Sequence, residues 1–279
     1  MKKVRIYGSS GMAGHMISDY LFIIKSFKVD LVNEYDIIDN NYEFNKNVIF
    51  SKPHPDYIIN CIRCLVEESE LNPTKAIIYN SYFPHLLADY YKNSQTKIIH
   101  LSTDCVFSGE KGSYNEDSLH DGLSNYAKTK SLGEINNNKD ITIRTSYLGP
   151  TIEENNEELF DWFLLQKGEI DGYCNAIWNG LTTLALAKGI SKLIKLDYSG
   201  VYHMVSNEKI SKYSLLSLVK KIWQKKDVEI KKTYINNIDR SLVDNQKLIP
   251  VADYNSMFEE LYEYMKRNKL QYKKYNFFS

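Results

Sequence analysis

The sequence predicts an α/β protein built on a doubly wound parallel sheet, with a smaller C-terminal lobe that binds a substrate. Three observations predict it. The chain opens on a short apolar strand that runs into Gly8-Ser9-Ser10-Gly11-Met12-Ala13-Gly14 and then into a helix. Strand-like apolar runs recur at residues 3–7, 27–32, 57–61, 97–101 and 141–144, with helical patterns between them. That alternation is the mark of a parallel sheet. Gly8, Asn60, Thr103 and Tyr147 all fall at or beyond strand carboxyl ends, where such Rossmann-type sheets bind ligands.

Strand 3–7 delivers a Gly-x-x-Gly-x-x-Gly turn to a helix running to about residue 24. Glycines permit the tight turn and let backbone approach a pyrophosphate, while the helix start offers free N–H groups. Gly8, Ser10, Gly11, Met12 and Gly14 are therefore the candidate dinucleotide residues. An acid about 20 residues past the glycines holds the adenosine ribose in such sites. Glu34 stands there, with Asp30 and Asp36 nearby. Lys25 and Lys28 are close, but no Arg follows the second strand, so NADH and NADPH both stay open. Residues 43–52 read as a short helix. Strand 57–61 runs into Ile62 and Arg63. The charge of Arg63 has two readings of equal weight, a diphosphate contact or a pair with Glu67 or Glu68. Pro73 fits the first turn of a helix, which continues through Asn80 to Tyr91 with a kink expected at Pro84.

Strand 97–101 enters Ser102-Thr103-Asp104-Cys105, and a helix opening near Ser124 carries Tyr126 and Lys130. Residues four apart share a helix face. A phenol beside an ammonium suits carbonyl reduction. The phenol delivers a proton to the carbonyl oxygen as hydride reaches carbon, and the ammonium lowers the phenol pKa from about 10. The Thr103 hydroxyl can bond the same oxygen. Tyr-x-x-x-Lys occurs three times in a chain of 22 tyrosines, at Tyr42/Lys46, Tyr126/Lys130 and Tyr262/Lys266. Only the middle pair follows a Ser-Thr-Asp strand end, 23 residues after Thr103. The other two read as solvated helix faces.

Past Pro150 the character changes. Residues 153–158 are acidic and polar, and 159–166 form an aromatic helix. Residues 172–180, with Trp178, are loop or short strand. Residues 182–196 are helical, 200–205 form a strand rejoining the sheet, and 211–223 and 256–268 are amphipathic. The expected division is a dinucleotide-binding domain of residues 1–148 plus about 181–205, and a substrate lobe of about 149–180 and 206–279.

Basic and acidic residues balance at 35 each, so no global field favours nucleic acid or an anionic membrane. The tail at 270–279 mixes Lys with Tyr and Phe, and such a short tail more often docks on its own domain or frays than binds RNA or lipid. No apolar run reaches about 18 residues and signal-peptide regions are lacking, so a cytoplasmic protein is expected. Cys61, Cys64, Cys105 and Cys174 are expected as free thiols. Cys61-x-x-Cys64 has no second pair and the six histidines form no ligand-spaced cluster, so no metal is expected.

The stretches STDCVFSG, YNEDS and YAKTKSLGE resemble the dTDP-4-dehydrorhamnose reductase branch of the extended short-chain dehydrogenase/reductases. The resemblance runs from KVRIYGSSGMAGH to about VYHMVSN and is densest between Pro55 and Pro150. It implies NAD(P)H-dependent reduction of a nucleotide-linked 4-keto-6-deoxy sugar for a bacterial surface polysaccharide, with NADPH slightly favoured and a homodimer left open. It implies that Tyr126 protonates the new alkoxide, that Lys130 holds the nicotinamide ribose and that Thr103 polarises the carbonyl. It places Asp39 against the adenine, and Asn60, Cys61 and Ile62 along the cofactor, where the family carries Asn-Ala-Ala. Asn80 matches its helical asparagine behind the active site. Asp104, Cys105, Tyr147 and Trp178 would join Thr103 and Tyr126 on the substrate.

Two positions depart from the pattern. Cys105 replaces the usual aromatic. GDP-fucose synthases carry a cysteine there as an epimerisation acid/base, although inert packing has about twice the weight. Met16 stands where some relatives place a glutamate for Mg²⁺ at a dimer contact, and a thioether does not replace it. Two alternatives stay open. One is an epimerase or epimerase-reductase using Cys105. The other is a non-catalytic NADP-binding regulatory subunit, like the β subunit of methionine adenosyltransferase.

Overall fold

The computed structural model describes residues 1–152 and 158–275. Of the expected acidic stretch only Glu158 lies within the described residues, and of the basic-aromatic tail only 270–275. Among the described residues, six parallel strands form the central sheet: β1 (Lys2–Tyr7), β2 (Phe27–Val32), β3 (Tyr57–Asn60), β4 (Lys97–Leu101), β5 (Ile141–Arg144) and β6 (Gly200–His203). Their order is β6-β5-β4-β3-β1-β2. β3 is buried at every position, which is why Tyr57-Ile58-Ile59 reads as a continuous apolar run. β5 is equally buried although Ile141-Thr142-Ile143-Arg144 alternates, because Thr142 Oγ1 bonds the Ile135 backbone and Arg144 pairs with Glu134. The chain leaves β1 for β2 on one side and returns to β3 on the other. A crevice opens at that reversal, beyond Tyr7 and Asn60.

The longer helices are α1 (Met12–Ile23), α2 (Phe83–Tyr91), α3 (Asn125–Leu132), α4 (Thr183–Leu196), α5 (Lys212–Ile222) and α6 (Tyr254–Arg267). Helix α1 starts tight against the glycine turn. A Cβ on Gly14 would sit 2.0 Å from the Gly8 carbonyl oxygen, so only glycine lets the helix begin there. Helix α3 is capped by Ser124, whose Oγ accepts from Ala127 N at 3.1 Å, a contact worth about 1 kcal/mol.

The kink expected at Pro84 is instead a widened π-helical stretch, Ile77–Tyr82, ahead of α2. Proline lacks the N–H that would bond the Asn80 carbonyl, and its ring crowds that oxygen; the wider turn relieves the clash. Gly133, at the end of α3, packs on the same carbonyl. A Cβ there would come within 1.8 Å of it. The Asn80 side chain donates to Thr129 Oγ1 at 3.1 Å and accepts from Cys64 N at 2.9 Å. This seam fixes α3 against the sheet. The helix expected over 43–52 shortens to Lys46–Ile49.

One apolar cluster runs from Val4 and Ile6 of β1 through Leu186 and Ile190 of α4 to Phe258 and Leu261 of α6, and includes the fully buried Met16. A second, on the opposite face, holds Tyr7, Ile58, Phe83 and Leu87. Beyond β5 the chain also pairs Gly168–Tyr173 with Val228–Thr233, and Ala176–Trp178 with both Ile210–Ser211 and Ile238–Asp239. The tail docks on its own fold as far as it is described. Tyr272 and Tyr275 are buried, the Tyr272 hydroxyl meets His15 Nε2 at 3.2 Å, and Lys274 pairs with Asp161 at 2.7 Å. Among the described residues no helix is long and apolar enough to cross a membrane.

Candidate active site

Gly8 turns with φ +73° at the end of β1, and Gly11 starts α1 with no side chain to cap it. The first-turn N–H groups of α1 are thus left for an anion. They face a cavity of about 150 Å³ lined by Gly8, Ser10, Gly11 and Met12, with Glu34 and Tyr35 at one end and Cys61 and Arg63 at the other. The donor set and the close backbone suit a dinucleotide. Gly14 serves from beneath, by letting α1 approach.

Asp39 does not reach this cavity. It is exposed, its Oδ1 accepts from Asn41 N at 2.8 Å and Glu43 N at 2.9 Å, and it lines a neighbouring cleft that shares Tyr35 with this cavity. Ile38 pairs only with Phe44 in an isolated bridge, so the chain turns back and carries the acid with it. Asn60 is buried under the floor, its amide facing His100.

A second cavity of about 190 Å³ adjoins the first, sharing Cys61, Arg63, Tyr147 and Glu158. Thr103, Asp104, Cys105, Tyr126, Lys130, Ile62 and Trp178 all line it. The structure therefore brings the three candidate catalytic residues together, from the ends of β4 and the face of α3. Burial pushes the Tyr126 phenol pKa up, while Arg63 and then Thr103 act to lower it.

Lys130 behaves differently from the expectation that its ammonium tunes Tyr126. Its Nζ donates to the Leu101 carbonyl at 2.6 Å and meets His100 Nε2 at 3.3 Å. Burial, then repulsion by Arg63, brings its pKa down to about 7. Without coenzyme the strand-end carbonyl captures the amine and desolvation weakens its charge, so in this state Arg63 is the foremost cation acting on the phenol.

Nor does Arg63 pair with Glu67 or Glu68. It bonds Glu158 and lies over the Tyr147 ring at 5.3 Å. Glu68 is taken by Lys75 at 2.6 Å. The guanidinium thus stands at the junction of the two cavities.

Thr103 Oγ1 donates to Asp104 Oδ1 at 3.2 Å and accepts from Cys105 N at 3.1 Å. Burial raises the Asp104 pKa, opposed by Lys212 and Arg240. Burial and then the Asp104 charge push the Cys105 thiol up to about 11. A thiolate base is therefore disfavoured at neutral pH, although the Arg240 guanidinium donates to Cys105 Sγ at 3.6 Å. Trp178 stacks on Tyr254 at 5.9 Å and carries Lys212 Nζ over its ring at 4.9 Å. Cys61, Cys64, Cys105 and Cys174 are free. Among the described residues no group of His, Cys, Asp and Glu is placed to hold a metal.

Among the residues in or behind the site that escaped the sequence reading are Lys212, Glu158 and His100. Lys212 opens an amphipathic helix and reads there as a solvated cation. Glu158 closes an acidic run. His100 lies inside an apolar strand and reads as core. None carries a local signal for what it meets.

A crevice at the reversal of a parallel sheet, with threonine, tyrosine and lysine converging beyond its carboxyl edge, defines an extended short-chain dehydrogenase/reductase. More narrowly, the chain belongs to the family described as RmlD substrate binding domain, whose model matches residues 2–242. It is 30% identical over 156 residues to a dTDP-4-dehydrorhamnose reductase of Aggregatibacter actinomycetemcomitans, covering 53% of this chain and 52% of that one. It is 23% identical over 221 residues to a dTDP-4-keto-6-deoxy-D-glucose reductase of Streptomyces niveus, covering 75% of each. It is also 29% identical over 181 residues to methionine adenosyltransferase 2 subunit beta of Xenopus laevis, covering 59% of this chain and 53% of that one. The chain thus spans about half the length of the first and third of these relatives. In fold it is similar to the dTDP-4-dehydrorhamnose reductase of Bacillus anthracis solved with NADP. The TM-score is 0.81 at 18% identity, over 94% of this chain and 99% of that one.

Proposed function

We propose that the protein is an NAD(P)H-dependent reductase of a nucleotide-linked 4-keto-6-deoxy sugar. In this reading it acts in the cytoplasm and supplies a bacterial surface polysaccharide. One observation carries the reading: Thr103, Tyr126, Lys130 and Arg63 line a single cavity that continues into the glycine-turn cleft. Gly8, Ser10, Gly11 and Met12 would hold the pyrophosphate, with Cys61 and Ile62 along the coenzyme and Lys130 on its nicotinamide ribose. When bound, a reduced nicotinamide supplies the hydride. Glu34 and Tyr35 also line the glycine-turn cavity, and a carboxylate there suits a ribose hydroxyl. The solved relative holds NADP, so both coenzymes belong in the test.

Tyr126 gives its proton to the carbonyl oxygen, and Thr103 hydrogen-bonds the same oxygen. Arg63 stabilises the phenolate left behind, in a site where low dielectric strengthens the attraction. Holding both reactants aligned can remove roughly 7–11 kcal/mol of the barrier. Tyr147 and Trp178 line the cavity as aromatic walls for sugar or base, and Arg63 and Lys212, which lie over those two rings, are cations for a diphosphate. In this reading residues 1–148 and about 181–205 bind coenzyme, while 149–180 and 206–279 complete the substrate side.

The test is a screen of dTDP-, UDP- and GDP-linked 4-keto-6-deoxy sugars against NADPH and NADH, with product stereochemistry by NMR. Light scattering on the same sample tests for a homodimer. No coenzyme oxidation with any of these sugars would overturn the reading. Coenzyme binding without turnover would instead favour a regulatory subunit, the reading that the Xenopus relative supports. The high thiol pKa of Cys105 weighs against epimerisation. Solvent deuterium entering the sugar at C3 or C5 would restore it.

A further inference from the structure

Behind the active site runs a buried chain that the proposed proton transfer does not use. Asn60 ends β3, His100 lies in β4 and Lys130 in α3, and none is more than 1% exposed. The orientation of the Asn60 amide is set by backbone: its Oδ1 accepts from Ile62 N at 3.2 Å. Its Nδ2 therefore faces His100 Nδ1, also at 3.2 Å. An amide nitrogen only donates, so Nδ1 must accept. A neutral imidazole in that setting carries its proton on Nε2, 3.3 Å from Lys130 Nζ. Protonating Nδ1 as well would set N–H against N–H, and complete burial opposes the charge.

The Nε2–H needs an acceptor. An ammonium has none, whereas a neutral amine has one lone pair. The amine in turn donates to the Leu101 carbonyl at 2.6 Å. Polarity thus runs from Asn60 to His100 to Lys130 to Leu101, and each donor finds an acceptor only if Lys130 is uncharged.

We propose that His100 is a positioning residue: its Asn60-fixed tautomer holds Lys130 as a neutral amine until coenzyme binds, so that binding is coupled to uptake of a proton. The coupling rests on the coenzyme reading above. The neighbouring charges agree. Arg63, after β3, repels a charge on Lys130, while Glu134 and the Cys61 thiol favour it. Glu134 is engaged by Arg144 at 2.8 Å and by the Ser102 hydroxyl at 2.6 Å. His85 and Lys130 both oppose a charge on His100. A coenzyme adds negative phosphates and ribose oxygens, which favour the ammonium and draw it off His100. The chain ends on an amide, which cannot pass a proton on, so it is a clamp rather than a conduit.

Two measurements test this. Long-range ¹⁵N NMR of the histidines reads the tautomer without coenzyme. Nε2 protonated and Nδ1 bare is expected for His100, and the reverse pattern overturns the inference whatever the coenzyme does. Calorimetric titration with NADPH at about pH 8, where a phosphate monoester is fully ionised, is then repeated in buffers of different ionisation enthalpy. Wild type should take up about one proton per coenzyme. Asn60→Asp keeps the acceptor for Ile62 N–H but accepts from Nδ1–H, which reverses the chain. Lys130 is then charged beforehand and uptake falls close to zero. Lys130→Met should abolish uptake, and uptake that survives in it overturns the assignment. Wild type binding NADPH without proton uptake also overturns it. Failure to bind either coenzyme while the tautomer stands as expected counts against the coenzyme reading alone.

Discussion

Replacing Arg63 by methionine removes the cation foremost in lowering the candidate acid's pKa. The guanidinium side chain is only 22% exposed, pairs with Glu158 and lies over Tyr147 at 5.3 Å. It is the foremost influence lowering the Tyr126 phenol. Two unit charges about 5 Å apart at an effective dielectric of about 20 interact with roughly 3 kcal/mol. Removing the cation makes the phenolate dearer by up to that amount. Where about half of the change reaches the transition state of proton transfer, the barrier rises by about 1.5 kcal/mol, close to tenfold in rate. Burial already holds the phenol above its ordinary value, and losing Arg63 moves it further up. The phenol therefore stays protonated across the neutral range, and the loss shows as a lower kcat plateau rather than as a displaced pH limb.

Arg63→Met also leaves Glu158 unpaired, so Arg63→Met combined with Glu158→Gln is the cleaner variant for single-turnover coenzyme oxidation. A double variant whose kcat stays within a factor of two of wild type, with folding intact by circular dichroism, would refute the role given to Arg63.

Tyr126→Phe should lower kcat by about 10²–10⁴, the usual worth of a general acid, with coenzyme Kd by fluorescence nearly unchanged; unchanged turnover would remove Tyr126 from the chemistry. Lys212→Met should raise KM for the nucleotide sugar about tenfold or more at similar kcat, since a hydrogen bond to a charged group is worth about 1.5–3 kcal/mol. A fall in kcat alone would contradict that assignment. Gly133→Ala places a methyl 1.8 Å from the Asn80 carbonyl oxygen, so denaturant melts should show a loss of about 1–3 kcal/mol or more. A stability within error of wild type would mean that α3 does not depend on this contact.

Much of the frame was legible in the amino-acid order because it depends on neighbours a few residues apart. The glycine turn, the strand alternation and the cap at Ser124 are local patterns, and the amphipathic run at 211–223 became Lys212–Ile222. The meeting of Thr103, Tyr126 and Lys130 followed from their places at strand and helix ends. The partners and charges of those groups were not legible. Arg63 found Glu158, 95 residues away, rather than the nearby Glu67 or Glu68. Lys130 was claimed by a strand-end carbonyl and a buried histidine. Asp39 lines an adjoining cleft, its acceptor oxygen closing a local turn. Sequence by itself determined which elements form and which side chains reach the carboxyl edge of the sheet, since dihedral preference and periodicity act over one or two turns. Tertiary structure alone decided which of those side chains keep their charge, because desolvation and Coulomb energy depend on distances that only the packed chain defines.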